Sequence, residues 1–93
     1  MRRIDWTHTF RRDFRRVEAT PQHGDIDSCF QQIVRLLSVD APLPARYVDH
    51  RMKGKWKGFR DCHIKHDLVL IYRKRGKDVL ELVRLGSHSE LGI

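Results

Sequence analysis

The feature that most constrains the fold is the run "LVLIY", residues 68–72. It is apolar on both faces of an extended chain, so as a strand it would need neighbours on both sides and cover on both faces. The polar segment "HIKHD" precedes the run, and "KRGK", with Gly76 able to adopt a positive φ, follows it. We therefore predict a central strand within an antiparallel meander, with strands at roughly 57–64, 67–73 and 78–85.

The N-terminal half predicts two helices. Trp6, Phe10, Phe14 and Val17 recur at helical spacing, which predicts an amphipathic helix over roughly residues 7–19. The segment "TPQHGD" interrupts that pattern, and Asp25 is a candidate N-cap for a second helix that ends at about Ser38. A loop this short predicts an antiparallel helical hairpin.

These elements together predict an α+β fold in a single domain over residues 1–93. The segment "RIDW" supplies an N-terminal strand, and the two-helix hairpin packs on one face of an antiparallel sheet of about four strands. Pro42 and Pro44 exclude helix between the two halves and predict an extended crossing segment.

The charge indicates the class of partner. Nineteen Lys and Arg against twelve Asp and Glu give a formal net charge of +7, which favours a polyanion: nucleic acid, an acidic protein or an anionic membrane surface. No apolar run reaches the ~20 residues of a membrane span, and "MRRIDWTHTF" has no signal core. Cys29 and Cys62 have no paired spacing. We expect a cytoplasmic protein without a disulfide framework.

Two basic segments are candidate RNA-binding surfaces. Four arginines, at positions 11, 12, 15 and 16, lie on the outer arc of the first helix, where they are either solvated charges or a phosphate-facing ridge. The segment "RMKGKWKGFR" interleaves cations with aromatic rings, a pattern that suits single-stranded nucleic acid. Its candidate substrate-binding residues are Lys53, Lys55, Trp56, Lys57 and Arg60, although Trp56 could instead pack on the core.

Ionisable side chains cluster at one end of the predicted sheet. If the last hairpin is symmetric about Arg75–Gly76, Arg73 faces Asp78, Tyr72 faces Val79 and Asp67 faces Arg84. His63 and His88 reach the same end, and His50 enters nearby. The candidate catalytic residues are therefore His50, His63, Asp67, Arg84 and His88.

This set suits RNA cleavage without a metal. Histidine exchanges protons near neutral pH, arginine neutralises charge on a phosphate in its transition state, and RNA supplies its own nucleophile, the 2′-OH. A metal site in "HIKHD" is disfavoured because positions i and i+3 of a strand point to opposite faces. We therefore expect no metal or cofactor, and we interpret His8, His23 and His66 as solvent histidines.

The stretch "LPARYVDHRMKGKWKGFRDCHIKHDLVLIYRK" followed by "RLGSHSEL" resembles the YafQ branch of the RelE superfamily, the mRNA interferase toxins of type II toxin–antitoxin systems. The resemblance implies an α+β fold with a helical hairpin against a curved antiparallel sheet. It implies cleavage of mRNA in the ribosomal A site, with proton transfer by His50, His63, Asp67 and His88 and phosphate binding by Arg84. It also implies an acidic antitoxin, and contact with operator DNA only through the toxin–antitoxin complex.

The sequence departs from the family pattern at three positions. Leu68 stands where Trp is common, Gly92 where Phe is common, and His66 where Pro is common in the turn. Loss of the two aromatic residues could alter codon preference or weaken activity. Two alternatives therefore remain: a catalytically weakened antitoxin-binding module, and a ParE-type toxin acting on DNA gyrase, although the histidine cluster favours RNA.

Overall fold

The computed structural model describes residues 1–93 and contains one five-stranded sheet. The helices are α1 (His8–Ala19), α2 (Ile26–Ser38) and α3 (His88–Leu91). The strands are β1 (Arg3–Trp6), β2 (His50–Arg51), β3 (Arg60–Lys65), β4 (Leu68–Arg75) and β5 (Val79–Gly86), and short 3₁₀ turns span Pro21–His23, Ala45–Tyr47 and Gly54–Trp56. The strand order is β1-β5-β4-β3-β2.

The α+β class and the N-terminal strand–helix–helix order are confirmed. Two details of the sheet differ from the prediction. Strand β1 runs parallel to β5, with Arg3 opposite Val79, and His50–Arg51 adds a short fifth strand that pairs with β3. A two-residue strand leaves almost no periodic signal, so the predicted count stopped at about four.

The first helix forms because an N-cap and an apolar face coincide. The Thr7 hydroxyl accepts a hydrogen bond from Phe10 N at 3.2 Å, which satisfies one of the free amides of the first turn. Phe10 and Phe14 then contact Trp6 of β1 and Phe30 of α2, with ring centroids 5.0–5.7 Å apart. This aromatic cluster fixes both helices on one face of the sheet.

Strand β4 is central, as the apolar run predicts. Leu68 to Tyr72 are all at most 2% exposed. Leu68, Leu70 and Tyr72 face the helices, whereas Val69 and Ile71 belong to a smaller cluster on the opposite face, which Leu91 of α3 covers. None of the three helices is long and apolar enough to cross a membrane.

The predicted register of the last hairpin is wrong. Arg75 pairs with Val79, so the turn contains three residues and has Gly76 at φ +57°. The register then shifts at a bulge between Ile71 and Tyr72, and Arg84 pairs with Ile71. In consequence Arg73 faces Glu81 rather than Asp78, Tyr72 faces Leu82 rather than Val79, and Asp67 does not face Arg84. A bulge inserts one residue into one strand, and alternation alone did not reveal it.

Candidate active site

Three histidines from three different elements line one cavity of about 600 Å³ beside the β2–β3 edge of the sheet. His50 lies on β2, His63 on β3 and His88 at the start of α3. Asp61 lines the same cavity, because residues i and i+2 of a strand share a face. His50 lies directly across from Asp61 in the β2–β3 ladder. The remaining lining residues are Arg51, Met52, Lys53, Lys55, Trp56, Gly92 and Ile93.

Asp67 orients His88. It occupies the β3–β4 turn at φ +54°, a conformation that Asp tolerates better than most residues. Its Oδ1 atom accepts hydrogen bonds from the backbone N of His88 at 3.1 Å and from the ring Nδ1 at 2.7 Å. These bonds hold the pKa of Asp67 below its usual value. Since Nδ1 donates to a carboxylate, Nε2 is the ring nitrogen of His88 left for chemistry.

The rings of His88 and His63 lie edge to face, with centroids 5.1 Å apart. Neither ring is fully buried, so both can exchange protons with solvent or with a bound substrate. Two imidazoles this close suit one phosphodiester, which needs a base on one side and an acid on the other.

Asp61 is a site residue that sequence reasoning missed. It is only 4% exposed, and its Oδ1 atom lies 3.0 Å from His50 Nδ1. That nitrogen also lies 3.0 Å from Val48 O, and Oδ1 has no well-directed hydrogen-bond donor. Burial raises the pKa of Asp61, and the nearby histidines only partly offset the effect. The i, i+2 spacing of Asp61 and His63 was the available signal.

Arg84 is not part of the cavity wall. Its Nε atom donates to Asp13 Oδ2 of α1 at 2.7 Å, and that carboxylate also accepts from Arg16 and from the backbone N of Leu85. Asp13 is 3% exposed. The structure therefore ties Arg84 to α1 rather than to Asp67, and a phosphate-binding role for Arg84 stays a prediction.

The basic loop divides between two cavities. Lys53, Lys55 and Trp56 line the histidine cavity, whereas Lys57 and Arg60 line a neighbouring cavity of about 600 Å³ that also includes Lys53. Trp56 is half-buried and packs edge-on against Phe59, with centroids 5.4 Å apart. It therefore contributes to the smaller core cluster and to the cavity wall together.

The remaining histidines lie outside the cavity. His8 and His66 are exposed, as expected for solvent histidines. The same interpretation of His23 is wrong, because this side chain is half-buried and its Nδ1 is enclosed without a partner. No three His, Cys, Asp or Glu side chains are grouped so that they could hold a metal ion.

Two of the three departures from the family pattern, Leu68 and Gly92, replace an aromatic residue, and they have different surroundings. Leu68 is 2% exposed and packs in the helix-side core. Gly92 borders the histidine cavity at φ +71° and ends α3. Residue 92 therefore contributes no side chain to the cavity wall.

Known proteins share both this sequence and this fold. A family model described as "Bacterial toxin of type II toxin-antitoxin system, YafQ" matches residues 2–92. The mRNA interferase toxin YafQ of Escherichia coli is 38% identical over 73 residues, which are 78% of this chain and 78% of that protein.

Solved structures agree with the family match. A metal-bound toxin from Helicobacter pylori is 37% identical, with a TM-score of 0.82 over 98% of this chain and 99% of that one. A chain of the Escherichia coli DinJ–YafQ complex is 31% identical, with a TM-score of 0.78 over 98% of each chain. The chain belongs to the YafQ family of bacterial toxins of type II toxin–antitoxin systems.

Proposed function

We propose that this toxin is an endoribonuclease that cleaves mRNA on the ribosome and uses the RNA 2′-OH as nucleophile. The observation that carries the proposal is the cavity lined by His50, His63 and His88 over the buried carboxylate of Asp61. The Asp61 carboxylate can accept hydrogen bonds, the three histidines can exchange protons, and the residues at the rim are basic. Phosphodiester transfer requires groups of these three kinds.

In the proposed reaction the 2′-OH attacks the adjacent phosphorus and the 5′ oxygen leaves. One histidine removes the hydroxyl proton, and a second delivers a proton to the leaving oxygen. His88 suits either task, because Asp67 holds its Nδ1 and leaves Nε2 free. The products are a 2′,3′-cyclic phosphate on the upstream fragment and a 5′-OH on the downstream one.

Phosphate charge is met by cations on the cavity wall. Arg51, Lys53 and Lys55 line the cavity and carry no ion pair with a carboxylate of the chain. Free cations at the rim attract the RNA backbone and stabilise the extra charge of the transition state. Trp56 supplies an apolar ring on the same wall on which a base can stack.

The partner of the free toxin is an acidic antitoxin that covers the cavity. The net charge of +7 and the basic rim support this choice, and a relative was solved as the DinJ–YafQ toxin–antitoxin complex. Operator DNA is contacted only through the toxin–antitoxin complex. The bound antitoxin occupies the basic cavity, so the toxin cannot use that cavity to bind DNA by itself.

The reaction is proposed without a metal ion, although a relative from Helicobacter pylori is a metal-bound toxin. The side chains of this cavity do not group three ligands around one position, and the 2′-OH, the histidines and the basic rim supply each proposed step. EDTA should leave the cleavage rate unchanged when free Mg²⁺ is buffered to keep ribosomes intact. Rate loss that Zn²⁺ or Cu²⁺ restores would contradict metal independence.

The test of the proposed function is cleavage of a defined mRNA on purified ribosomes. Wild-type toxin should cut the ribosome-bound message and leave the free message nearly intact. His63→Ala and His88→Ala should each lower the rate roughly 10²–10⁴-fold, the usual contribution of an acid–base group. His8→Ala is the matched control, because His8 is exposed on α1. An inactive wild type that still binds an antitoxin would identify a weakened binding module, and inhibition of gyrase would identify the ParE-type activity.

A further inference from the structure

A cluster behind the cavity links the core to His50. Tyr72 of β4 is 1% exposed, and its hydroxyl donates to Asp49 Oδ1 at 2.5 Å. Arg60 of β3 donates to both oxygens of the same carboxylate, from Nη2 at 3.0 Å and from Nε at 3.3 Å. Asp49 immediately precedes His50. The last residue before β2 is therefore held by side chains of two other strands.

The segment that carries His50 needs such an anchor. Strand β2 contains only two residues and lies at the edge of the sheet, so its ladder alone holds it weakly. Val48 adopts φ +49° and ψ +48°, a conformation that is strained for a β-branched residue and that persists only where surrounding contacts enforce it. Val48 is 49% exposed, so packing of its own side chain holds it little. Its N–H donates to Ala45 O at 3.0 Å on one side, and the anchored Asp49 follows it on the other.

We propose that Tyr72, Arg60 and Asp49 form a positioning clamp that sets the imidazole of His50 against Asp61 in the cavity. Arg60 pairs with Arg51 across β2 and with Tyr72 across β4, so the clamp spans all three strands. Tyr72 donates at every physiological pH, because burial and the Asp49 carboxylate both raise the pKa of its hydroxyl. The three residues are positioning residues, and none of them touches the substrate.

The clamp assigns Arg60 a role other than phosphate binding. A phosphate contact also uses the guanidinium fork, so slower cleavage by Arg60→Lys would fit either role. A clamp needs the planar fork of arginine, because two guanidinium nitrogens contact the Asp49 carboxylate together. The Asp61 titration of free Arg60→Lys toxin distinguishes the two roles: the Asp61 pKa changes if Arg60 holds Asp49, and it stays at the wild-type value if Arg60 only binds phosphate.

The first readout concerns the free toxin and needs no catalytic activity. The Asp61 carboxyl is titrated by carbon-detected NMR in wild type, Tyr72→Phe, Arg60→Lys and Glu81→Gln. Glu81 is the matched control, since it is a buried carboxylate held by Arg73 and Arg75 near the opposite turn. Both clamp variants should raise the Asp61 pKa above its wild-type value, because the favourable imidazole moves away. Glu81→Gln should leave it unchanged.

The second readout rests on the proposed function and measures single-turnover cleavage on ribosomes. Tyr72→Phe and Arg60→Lys should each cut roughly 10- to 100-fold more slowly, the scale expected for a misplaced reacting group, with ribosome affinity unchanged. An Asp61 titration identical to wild type in both variants overturns the clamp, as does wild-type cleavage by Arg60→Lys. If wild-type toxin cuts no message, only the proposed function is refuted. The Asp61 titration in the free toxin still tests the clamp.

Discussion

Asp13→Ala should strongly destabilise the fold although this residue lies outside the cavity. The carboxylate is 3% exposed and accepts from Arg84, Arg16 and the backbone N of Leu85. Removing one partner of a buried ion pair costs about 3–5 kcal/mol. Both arginine side chains here reach solvent, at 29% and 44% exposure, so the loss of charge pairing costs less. The orphaned Leu85 N adds about 1–3 kcal/mol.

Together these effects give a loss of about 2–4 kcal/mol from the roughly 5–14 kcal/mol expected for a domain of this length. At about 4–8 °C per kcal/mol, the melting temperature should fall by about 8–32 °C. Differential scanning calorimetry of the purified toxin measures this shift directly. Glu18→Ala, an exposed carboxylate on the same helix, is the control and should move the midpoint by no more than ~3 °C. A shift that small in Asp13→Ala would refute the structural role of this ion pair.

Three further predictions concern strain, surface charge and pH. Val48→Asn should raise the free energy of unfolding by about 1 kcal/mol in urea titrations, because Asn tolerates positive φ better than Val; a less stable variant would contradict the strain argument. Replacing Arg12 and Arg15 by Gln should weaken ribosome binding and reduce its salt slope by about 1 per charge if α1 faces phosphate; unchanged binding would identify them as solvated charges. The pKa of Asp13 is lowered because bonds from Arg84 and Leu85 outweigh its burial, and that of Asp67 is lowered by His88. The two carboxylates therefore stabilise the fold fully at pH values above their ordinary pKa of 3.8, and this stabilisation is lost as the pH falls through their lower pKa values in the folded protein. A melting temperature that stays constant from about pH 6 to 2 would contradict this.

The parts of the fold that rest on local periodicity were predictable. The two long helices and the central strand follow from the spacing of apolar residues, which shows which face of each element must be buried. Their predicted bounds differ from the observed ones by a few residues at most. The register of β4 and β5 was not predictable in this way. It depends on a three-residue turn and on a bulge beside Ile71, and neither changes the apolar pattern of the two strands.

The candidate site was predictable to the extent that it lies on those strands. His63 and His88 are close together because both lie at the same end of the sheet. His50 reaches them from β2, a two-residue strand that was too short to predict from the sequence. The pairing of Arg84 with Asp13 joins positions 71 residues apart. Such a contact depends on how α1 crosses β5, which no local pattern encodes.

In the proposed mechanism the substrate supplies the nucleophile, and the histidines of the cavity transfer its protons. The direct measurement uses a message with one 2′-deoxynucleotide just upstream of the scissile phosphate, bound to ribosomes and mixed with wild-type toxin. We predict no cleavage at that phosphate, full cleavage of the all-ribose control, and a 2′,3′-cyclic phosphate end on the control fragment. Efficient cutting of the deoxy message would contradict this mechanism, because water or a protein group would then be the nucleophile.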